Sequence, residues 1–159
     1  MTIQIGDRIP EATLTTMSDD GPVPVNHSDL FSGKKVVLFA VPGAFTPTCS
    51  IRHLPGYIDL LPAFSDSAVD TVACMSVNDS YVMDAWSKQA GAEGILMLAD
   101  GNAEFTRALG LELDAIGFFM GLRSQRFALV AEDGVVTRLF IEEPAEFKVS
   151  SAEHVLANL

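Results

Sequence analysis

The chain has 159 residues, of which 48% are hydrophobic and 19% are charged, with 21 acidic against 10 basic residues. This composition lies outside the range of disordered chains, and the length suits one domain with a sizeable core. The formal net charge of -11 disfavours binding to nucleic acid or to an anionic membrane. The chain shows no apolar run of membrane-spanning length and no secretory leader pattern at its start. We therefore expect a single domain over residues 1–159, located in the cytoplasm.

Only two cysteines are present, Cys49 and Cys74. They form no CxxC motif, and no Cys/His grouping has the spacing of a metal site. This usage favours a reducing compartment and a reactive thiol over a disulfide scaffold.

The first 30 residues contain short extended pieces at 3–5 and 12–16, interrupted by Pro10 and by the turn cluster 19–22. The continuous apolar run at 36–41 then predicts a central strand buried on both faces.

The chain next alternates between helix and strand patterns. Apolar residues recur at helical spacing from Ile51 to Leu61, and the Pro55-Gly56 pair predicts a kink in that helix. A second strand-like run covers 72–75, and Asp79 can cap the helix that follows.

A third strand-like run at 95–98 precedes Asn102 and a short helix, for which Gly110 is a natural terminator. This β-α-β-α-β-α order predicts a parallel sheet with helices on its faces.

The C-terminal part follows a different pattern. Strand-like segments at 126–131 and 135–141 flank Asp133-Gly134, a strong hairpin signal, and residues 151–159 have the pattern of a terminal helix. Together these elements predict an α/β fold in which a mixed central sheet is flanked by helices on both faces.

The segment 42–49 lies where the first buried strand passes into a helix, at the sheet edge where open α/β folds usually place their sites. With Thr46 as N-cap, Pro47 falls at the first helical position and Cys49 at the third. Unpaired backbone amides and the positive end of the helix dipole there favour a thiolate. Cys49 is therefore a candidate nucleophile.

Other groups near Cys49 must act on the substrate. Thr46 is a helical neighbour of Cys49, and its hydroxyl has two open roles, capping the helix and contacting a bound ligand. Pro42 can shield the pocket from water and stiffen the turn. A cation is also required near the sulfur, and spacing alone leaves three candidates. These are Arg52, Arg123 and Arg126.

Pro42, Thr46 and Cys49 fit the Pro-x-x-x-Thr-x-x-Cys motif, and in this respect the chain resembles the peroxiredoxins, thiol peroxidases with a thioredoxin-like fold. The surrounding residues 41–50 and 53–56 are similar to the peroxiredoxin 5 or plant type II branch in particular. Residues 76–79 and 123–127 carry the same resemblance, which extends from about Gly6 to Ile141.

The resemblance implies a role for each site residue. Cys49 is the peroxidatic cysteine, Thr46 and Pro42 belong to the peroxide pocket, and Arg126 is the active-site arginine. Cys74 matches a second cysteine of this branch, whereas Ser150 stands near the place of a resolving cysteine in some members.

The resemblance also implies reduction of hydrogen peroxide and small alkyl hydroperoxides through a sulfenic acid at Cys49. An external thiol, either glutathione with glutaredoxin or thioredoxin, then resolves this acid. No metal, haem or flavin is required, and a homodimer packed through the active-site side is expected.

Several alternatives remain open at this stage. Cys74 lies in a predicted buried strand, where a thiol is usually inert, and a structural role is the stronger interpretation. Arg52 and Arg123 are most simply surface or dimer-interface charges. His53, four residues after Cys49, is a candidate base for a rival cysteine hydrolase, although no partner Asn or Asp is evident. A non-enzymatic redox sensor or thioredoxin-fold binding protein is the main alternative function.

Overall fold

The computed structural model describes all 159 residues. The strands are β1 (Leu14–Ser18), β2 (Gly21–Val25), β3 (Lys35–Ala40), β4 (Thr71–Ser76), β5 (Leu96–Ala99), β6 (Glu112–Asp114), β7 (Leu122–Ser124), β8 (Phe127–Glu132) and β9 (Val135–Ile141). The helices are α1 (His27–Phe31), α2 (Leu54–Asp66), α3 (Ser80–Ala90), α4 (Glu104–Leu109) and α5 (Ala152–Ala157). A π-helical segment, Cys49–His53, precedes α2, and a 3-10 turn, Ile116–Phe118, lies between β6 and β7.

Seven strands form one sheet in the order β2-β1-β5-β4-β3-β8-β9, and β6 pairs with β7 separately. Strands β3, β4 and β5 are parallel, whereas β8 and β9 extend one side as an antiparallel hairpin. On the other side β1 is antiparallel to β5 and to β2. The sheet is therefore mixed, as the sequence predicts.

The sheet buries a hydrophobic core on each face because successive side chains of a strand point to opposite sides. The core containing Val37 and Phe39 is completed by residues of α2, α3 and α5. The core containing Val36 and Leu38 is completed by residues of α1 and α4. Helices therefore cover both faces, which confirms the predicted arrangement.

The predicted helix boundaries are confirmed where side chains or glycine define them. The Asp79 carboxylate accepts the backbone N–H of Val82 at 2.8 Å and caps α3. Gly110, with φ of 70°, ends α4 in the left-handed conformation that glycine adopts without strain. The Ser151 hydroxyl accepts the N–H of His154 at 3.2 Å and caps α5.

The predicted kink at Pro55-Gly56 is replaced by the π-helical segment immediately before it. The Leu54 N–H donates to the Cys49 carbonyl, five residues back. In a regular α-helix the Pro55 ring would clash with the carbonyl of Ile51, and a widened turn is one way to accommodate it. The irregularity therefore lies one turn nearer to Cys49 than predicted.

Further differences lie at the N-terminal edge of the main sheet, in α1, which the sequence did not predict, and in the separate pair β6–β7. Residues 3–5 form no strand, whereas residues 21–25 form β2 despite Pro22 and Pro24. Proline lacks an N–H and is tolerated in an edge strand, which β2 is. The short pair β6–β7 carries too little periodic pattern to be predicted.

None of the five helices combines the length and the apolar character needed to cross a membrane.

Candidate active site

Cys49 lies in the first helical turn after β3, at the carboxyl end of the parallel strands. The N–H of Ser50 donates to the Thr46 carbonyl at 2.9 Å, so helical hydrogen bonding begins at Thr46 as predicted. The Cys49 side chain is 0% exposed and belongs to the core that α2 covers. The thiol is therefore buried beneath the protein surface.

Two polar groups contact the sulfur of Cys49. The Thr46 Oγ1 atom lies 2.7 Å from Sγ, and the Arg126 Nη2 atom lies 3.1 Å from it. Arg126 directly precedes β8, and the β3–β8 register pairs Ala40 with Phe127. This pairing brings Arg126 to the sheet edge where the chain leaves β3 for Cys49.

The Thr46 hydroxyl has two neighbours that can accept its single proton. Its oxygen lies 2.7 Å from the Gly43 carbonyl as well as 2.7 Å from the Cys49 sulfur. With a thiol, S–H donates to Oγ1 and the hydroxyl donates to Gly43. With a thiolate, the hydroxyl can donate to sulfur. Its hydrogen bonds include none from a backbone N–H, so of its two open roles the side-chain cap is not formed.

The guanidinium of Arg126 is held from its other end by His53. The Arg126 Nη1 atom lies 2.8 Å from His53 Nδ1, and His53 Nε2 lies 3.0 Å from the Ser150 carbonyl oxygen. Burial, followed by the charge of Arg126, lowers the pKa of His53 to about 3, so the imidazole is neutral at physiological pH. Because Arg126 occupies Nδ1, the structure does not support the rival role of His53 as a base for Cys49.

Ser150 is buried and anchors the segment between β9 and α5. Its N–H and hydroxyl both donate to Glu142 Oε2, at 2.9 and 2.6 Å, and the Tyr57 hydroxyl donates to its carbonyl at 2.8 Å. Burial alone raises the pKa of Glu142, but hydrogen bonds from Ser150 and Lys148 outweigh it and lower the pKa. The residue near the place of a resolving cysteine is thus a structural serine.

A pocket of about 760 Å³ opens above these residues. Pro42, Thr46 and Arg126 form part of its wall, together with hydrophobic side chains of the β6–β7 region. Five carboxylates line the pocket and make its rim acidic. They are Glu112, Asp114, Glu142, Glu143 and Glu146.

The other two candidate arginines do not contact the sulfur. Arg123 is half-buried and donates to the carbonyls of Met120 and Val77, at 2.7 and 3.0 Å. It therefore fixes the segment after β6 to the end of β4, and a place for Arg123 at a dimer interface stays a prediction. Arg52 is exposed, with its guanidinium carbon 4.7 Å from the ring centre of Phe147.

Two supporting contacts were not predicted from the sequence. The Asn78 side-chain oxygen accepts the Ala44 N–H at 3.0 Å and so fixes the loop before Cys49. Gly43 lies so close to Met120 that a Cβ on it would approach the Met120 methyl to 3.2 Å. In the sequence, only the resemblance of residues 76–79 to peroxiredoxins pointed to Asn78 as part of the site.

Cys74 lies on β4, opposite Phe39 of β3, and is fully buried in the same core as Cys49. Burial, followed by the charge of Cys49, raises the pKa of its thiol well above the ordinary value. Cys74 is therefore a poor nucleophile in the folded protein.

The Redoxin family model matches residues 4–156, which is nearly the whole chain, and the chain belongs to this family. Among curated relatives, it is 50% identical to the chloroplastic Peroxiredoxin-2E-2 of Oryza sativa subsp. japonica, covering 99% of this chain and 73% of the relative. It is 44% identical to Peroxiredoxin-2B of Arabidopsis thaliana, covering 99% and 98%.

Solved structures of peroxiredoxins are also similar to this chain. Reduced Prx3 from Vibrio vulnificus in complex with H2O2 has a TM-score of 0.96 at 55% identity, with 99% of both chains covered. Peroxiredoxin 5 from Alvinella pompejana has a TM-score of 0.85 at 36% identity, covering 98% and 96%. Within the Redoxin family the chain is a peroxiredoxin of the peroxiredoxin 5 and plant type II kind, with a thioredoxin-like fold and thiol peroxidase activity.

Proposed function

We propose that this peroxiredoxin reduces hydrogen peroxide and small alkyl hydroperoxides, with Cys49 as the peroxidatic cysteine. The observation that carries the proposal is the contact of two hydrogen-bond donors, Thr46 and Arg126, with one buried sulfur. The complex of the similar Vibrio vulnificus Prx3 with H2O2 supports the same substrate here. The acidic pocket rim favours uncharged peroxides over anionic ones.

In the proposed reaction the Cys49 thiolate attacks the terminal oxygen of ROOH. The S–O bond forms as the O–O bond breaks, and the electron pair leaves on the alkoxide, which takes a proton to become ROH. Sulfur is oxidised by two electrons to Cys–SOH, and the peroxide is reduced by two. The Arg126 guanidinium stabilises the thiolate and the charge on the departing oxygen, and the Thr46 hydroxyl orients the peroxide. Pro42 shields the sulfur from water.

We propose that an external thiol completes the cycle. Two equivalents of thiol reduce the sulfenic acid to Cys49 thiol and water and form one disulfide. Glutathione with glutaredoxin and thioredoxin are the two candidate reductants. The buried, hydrogen-bonded Ser150 and the raised pKa of Cys74 support external resolution, because neither residue offers a reactive second thiol.

We further propose a homodimer that packs beside the active site, and a cytoplasmic location. An exposed apolar patch supports the dimer: Phe118 is 79% and Phe119 99% exposed, on the segment whose Met120 approaches Gly43. Phe119 also has a φ of 59°, a left-handed conformation that is uncommon for an aromatic residue. Two free cysteines support a reducing compartment.

The test is stopped-flow consumption of hydrogen peroxide by the reduced protein, followed by turnover with glutathione plus glutaredoxin and, separately, with thioredoxin. Fast stoichiometric oxidation that Cys49→Ser abolishes, with sustained turnover in one system, supports the proposal and identifies the reductant. Peroxide consumption that persists in Cys49→Ser would refute the role of Cys49. Oxidation without turnover in either system would refute the proposed reductants.

A further inference from the structure

Arg126 contacts two groups through the two arms of its guanidinium. One arm points to Cys49 Sγ at 3.1 Å and the other to His53 Nδ1 at 2.8 Å. The guanidinium is planar and its N–H directions are fixed relative to one another. Fixing the direction of the Nη1 arm therefore limits the direction of the Nη2 arm that faces the sulfur.

The hydrogen bonds of His53 define its protonation state. Arginine only donates, so Nδ1 must be the unprotonated acceptor nitrogen. The Ser150 carbonyl oxygen only accepts, so Nε2 must carry a proton and donate it to this oxygen, 3.0 Å away. The imidazole is 0% exposed and is enclosed by the rings of Phe39, Tyr57 and Phe147.

We infer that His53 is a positioning residue for the peroxidase reaction: as an uncharged acceptor it directs the guanidinium of Arg126 toward the sulfur of Cys49. The inference rests on the proposed function, because it assigns His53 to the same reaction. His53 does not touch the sulfur and acts only through Arg126. Its second hydrogen bond, to Ser150, ties this orientation to the segment between β9 and α5.

Loss of the acceptor nitrogen has a definite physical consequence. It leaves one N–H of a partly buried guanidinium without a partner, a cost that Arg126 can avoid only by turning toward another acceptor. Such a turn moves the Nη2 arm away from the sulfur. A displacement of about 1 Å in a catalytic group can reduce a rate by about 100-fold.

Two substitutions of His53 separate its two hydrogen bonds. In His53→Asn the amide oxygen lies near the former Nδ1 and can still accept from Arg126, but the donor to Ser150 is lost. In His53→Gln the longer side chain places an N–H near the former Nε2, so the donor to Ser150 remains and the acceptor for Arg126 is lost. Tyr57→Phe is the matched control, because it removes the other donor to the Ser150 carbonyl.

We expect His53→Gln to lower the second-order rate constant for hydrogen peroxide by about 10- to 100-fold. His53→Asn should recover most of the wild-type rate, and Tyr57→Phe should retain it. A merely structural role predicts the reverse ranking for Asn and Gln, because Asn loses the bond that anchors Ser150. Equal rates for His53→Gln and the wild type would overturn the inference, and so would that reverse ranking.

A measurement on the unmodified protein covers the case in which His53→Gln does not fold. The ¹⁵N NMR signals of the imidazole should show an unprotonated Nδ1 and a protonated Nε2 from about pH 5 to about pH 8, where an ordinary histidine titrates. A protonated Nδ1, or titration in this range, would contradict the inference. Failure of the proposed function is distinguishable, because the wild type would then show no Cys49-dependent consumption of peroxide.

Discussion

Arg126 Nη2 lies 3.1 Å from Cys49 Sγ, although 77 residues separate the two in the chain. The contact depends on antiparallel pairing of β3 with β8, which sets Phe127 opposite Ala40. Cys49 follows the end of β3 and Arg126 precedes the start of β8, so both lie at the same edge of the sheet. The cation of the site is thus positioned by sheet register rather than by a flexible loop.

Replacing Arg126 by lysine should nearly abolish peroxide reduction. An ammonium group cannot contact both His53 and the sulfur in the planar geometry of arginine. We expect the rate constant for hydrogen peroxide to fall by about 100-fold or more, the usual cost of removing a donor that stabilises transition-state charge. Arg52→Lys is the matched control, because Arg52 is exposed and stacks on Phe147. Similar losses in both variants would contradict the assignment.

The Thr46 hydroxyl can be tested by a pair of substitutions. Thr46→Val keeps the shape of the side chain and removes the group that lies 2.7 Å from the sulfur. Hydrogen bonds to charged groups are worth about 1.5–3 kcal/mol, so the rate should fall by roughly 10- to 100-fold. Thr46→Ser keeps the hydroxyl and should retain most of the rate. A fully active Thr46→Val would show that the hydroxyl is dispensable.

Catalytic turnover should require Cys49 but not Cys74. Cys49→Ser should abolish turnover, because serine cannot supply the thiolate. Cys74→Ser should retain most of the turnover with an external thiol, since Cys74 is buried and the pKa of its thiol is raised. Steady-state turnover of both variants, with folding checked by circular dichroism, is the measurement. A folded Cys74→Ser that reacts with peroxide but cannot be recycled would instead assign resolution to Cys74.

His53 should also make the protein less stable in acid. Its pKa is about 3 in the folded state and 6.5 when unperturbed, so between these values the unfolded chain binds more protons. Stability is then fully present above about pH 6.5 and is lost as pH falls toward 3. A single group of this kind contributes a slope of up to about 1.4 kcal/mol per pH unit.

Urea unfolding of the wild type and His53→Gln from pH 6.5 to pH 4 measures this contribution. The variant should show the smaller slope, by up to about 1.4 kcal/mol per pH unit. Tyr57→Phe keeps the imidazole and should keep the wild-type slope. Identical slopes in the wild type and His53→Gln would mean that His53 does not keep its neutral state in the folded protein.

The proposed homodimer predicts that a charge on the exposed patch separates the protomers. Phe119→Asp is suitable, because aspartate tolerates the left-handed backbone at this position and would bury a charge in the interface. Light scattering after gel filtration should change from the mass of two chains to that of one. Ile5→Asp is the control: Ile5 is 63% exposed, beside the far end of the β8–β9 hairpin. A monomeric wild type would refute the dimer.

Most of the fold could be predicted from the sequence because its signals are local. The apolar run at 36–41 predicts a buried strand, and β3 confirms it. The Asp133-Gly134 turn predicts a hairpin, and β8 and β9 confirm it. Strand β2 and the pair β6–β7 were missed, since β2 contains two prolines and the pair is only three residues long on each side. Their pairing depends on neighbours distant in the chain.

The sequence by itself determined the Pro42-Thr46-Cys49 segment, because a strand end, a helix start and a residue spacing are all short-range properties. Spacing alone left three arginines as candidates for the cation. The start of the predicted hairpin strand favoured Arg126, and the resemblance to peroxiredoxins selected it. The tertiary structure decided what lies around the sulfur. Sheet register brings Arg126 to Cys49, and packing of the segment before α5 buries His53 between Arg126 and Ser150. These contacts join residues 73, 77 and 97 positions apart, so no local pattern could encode them.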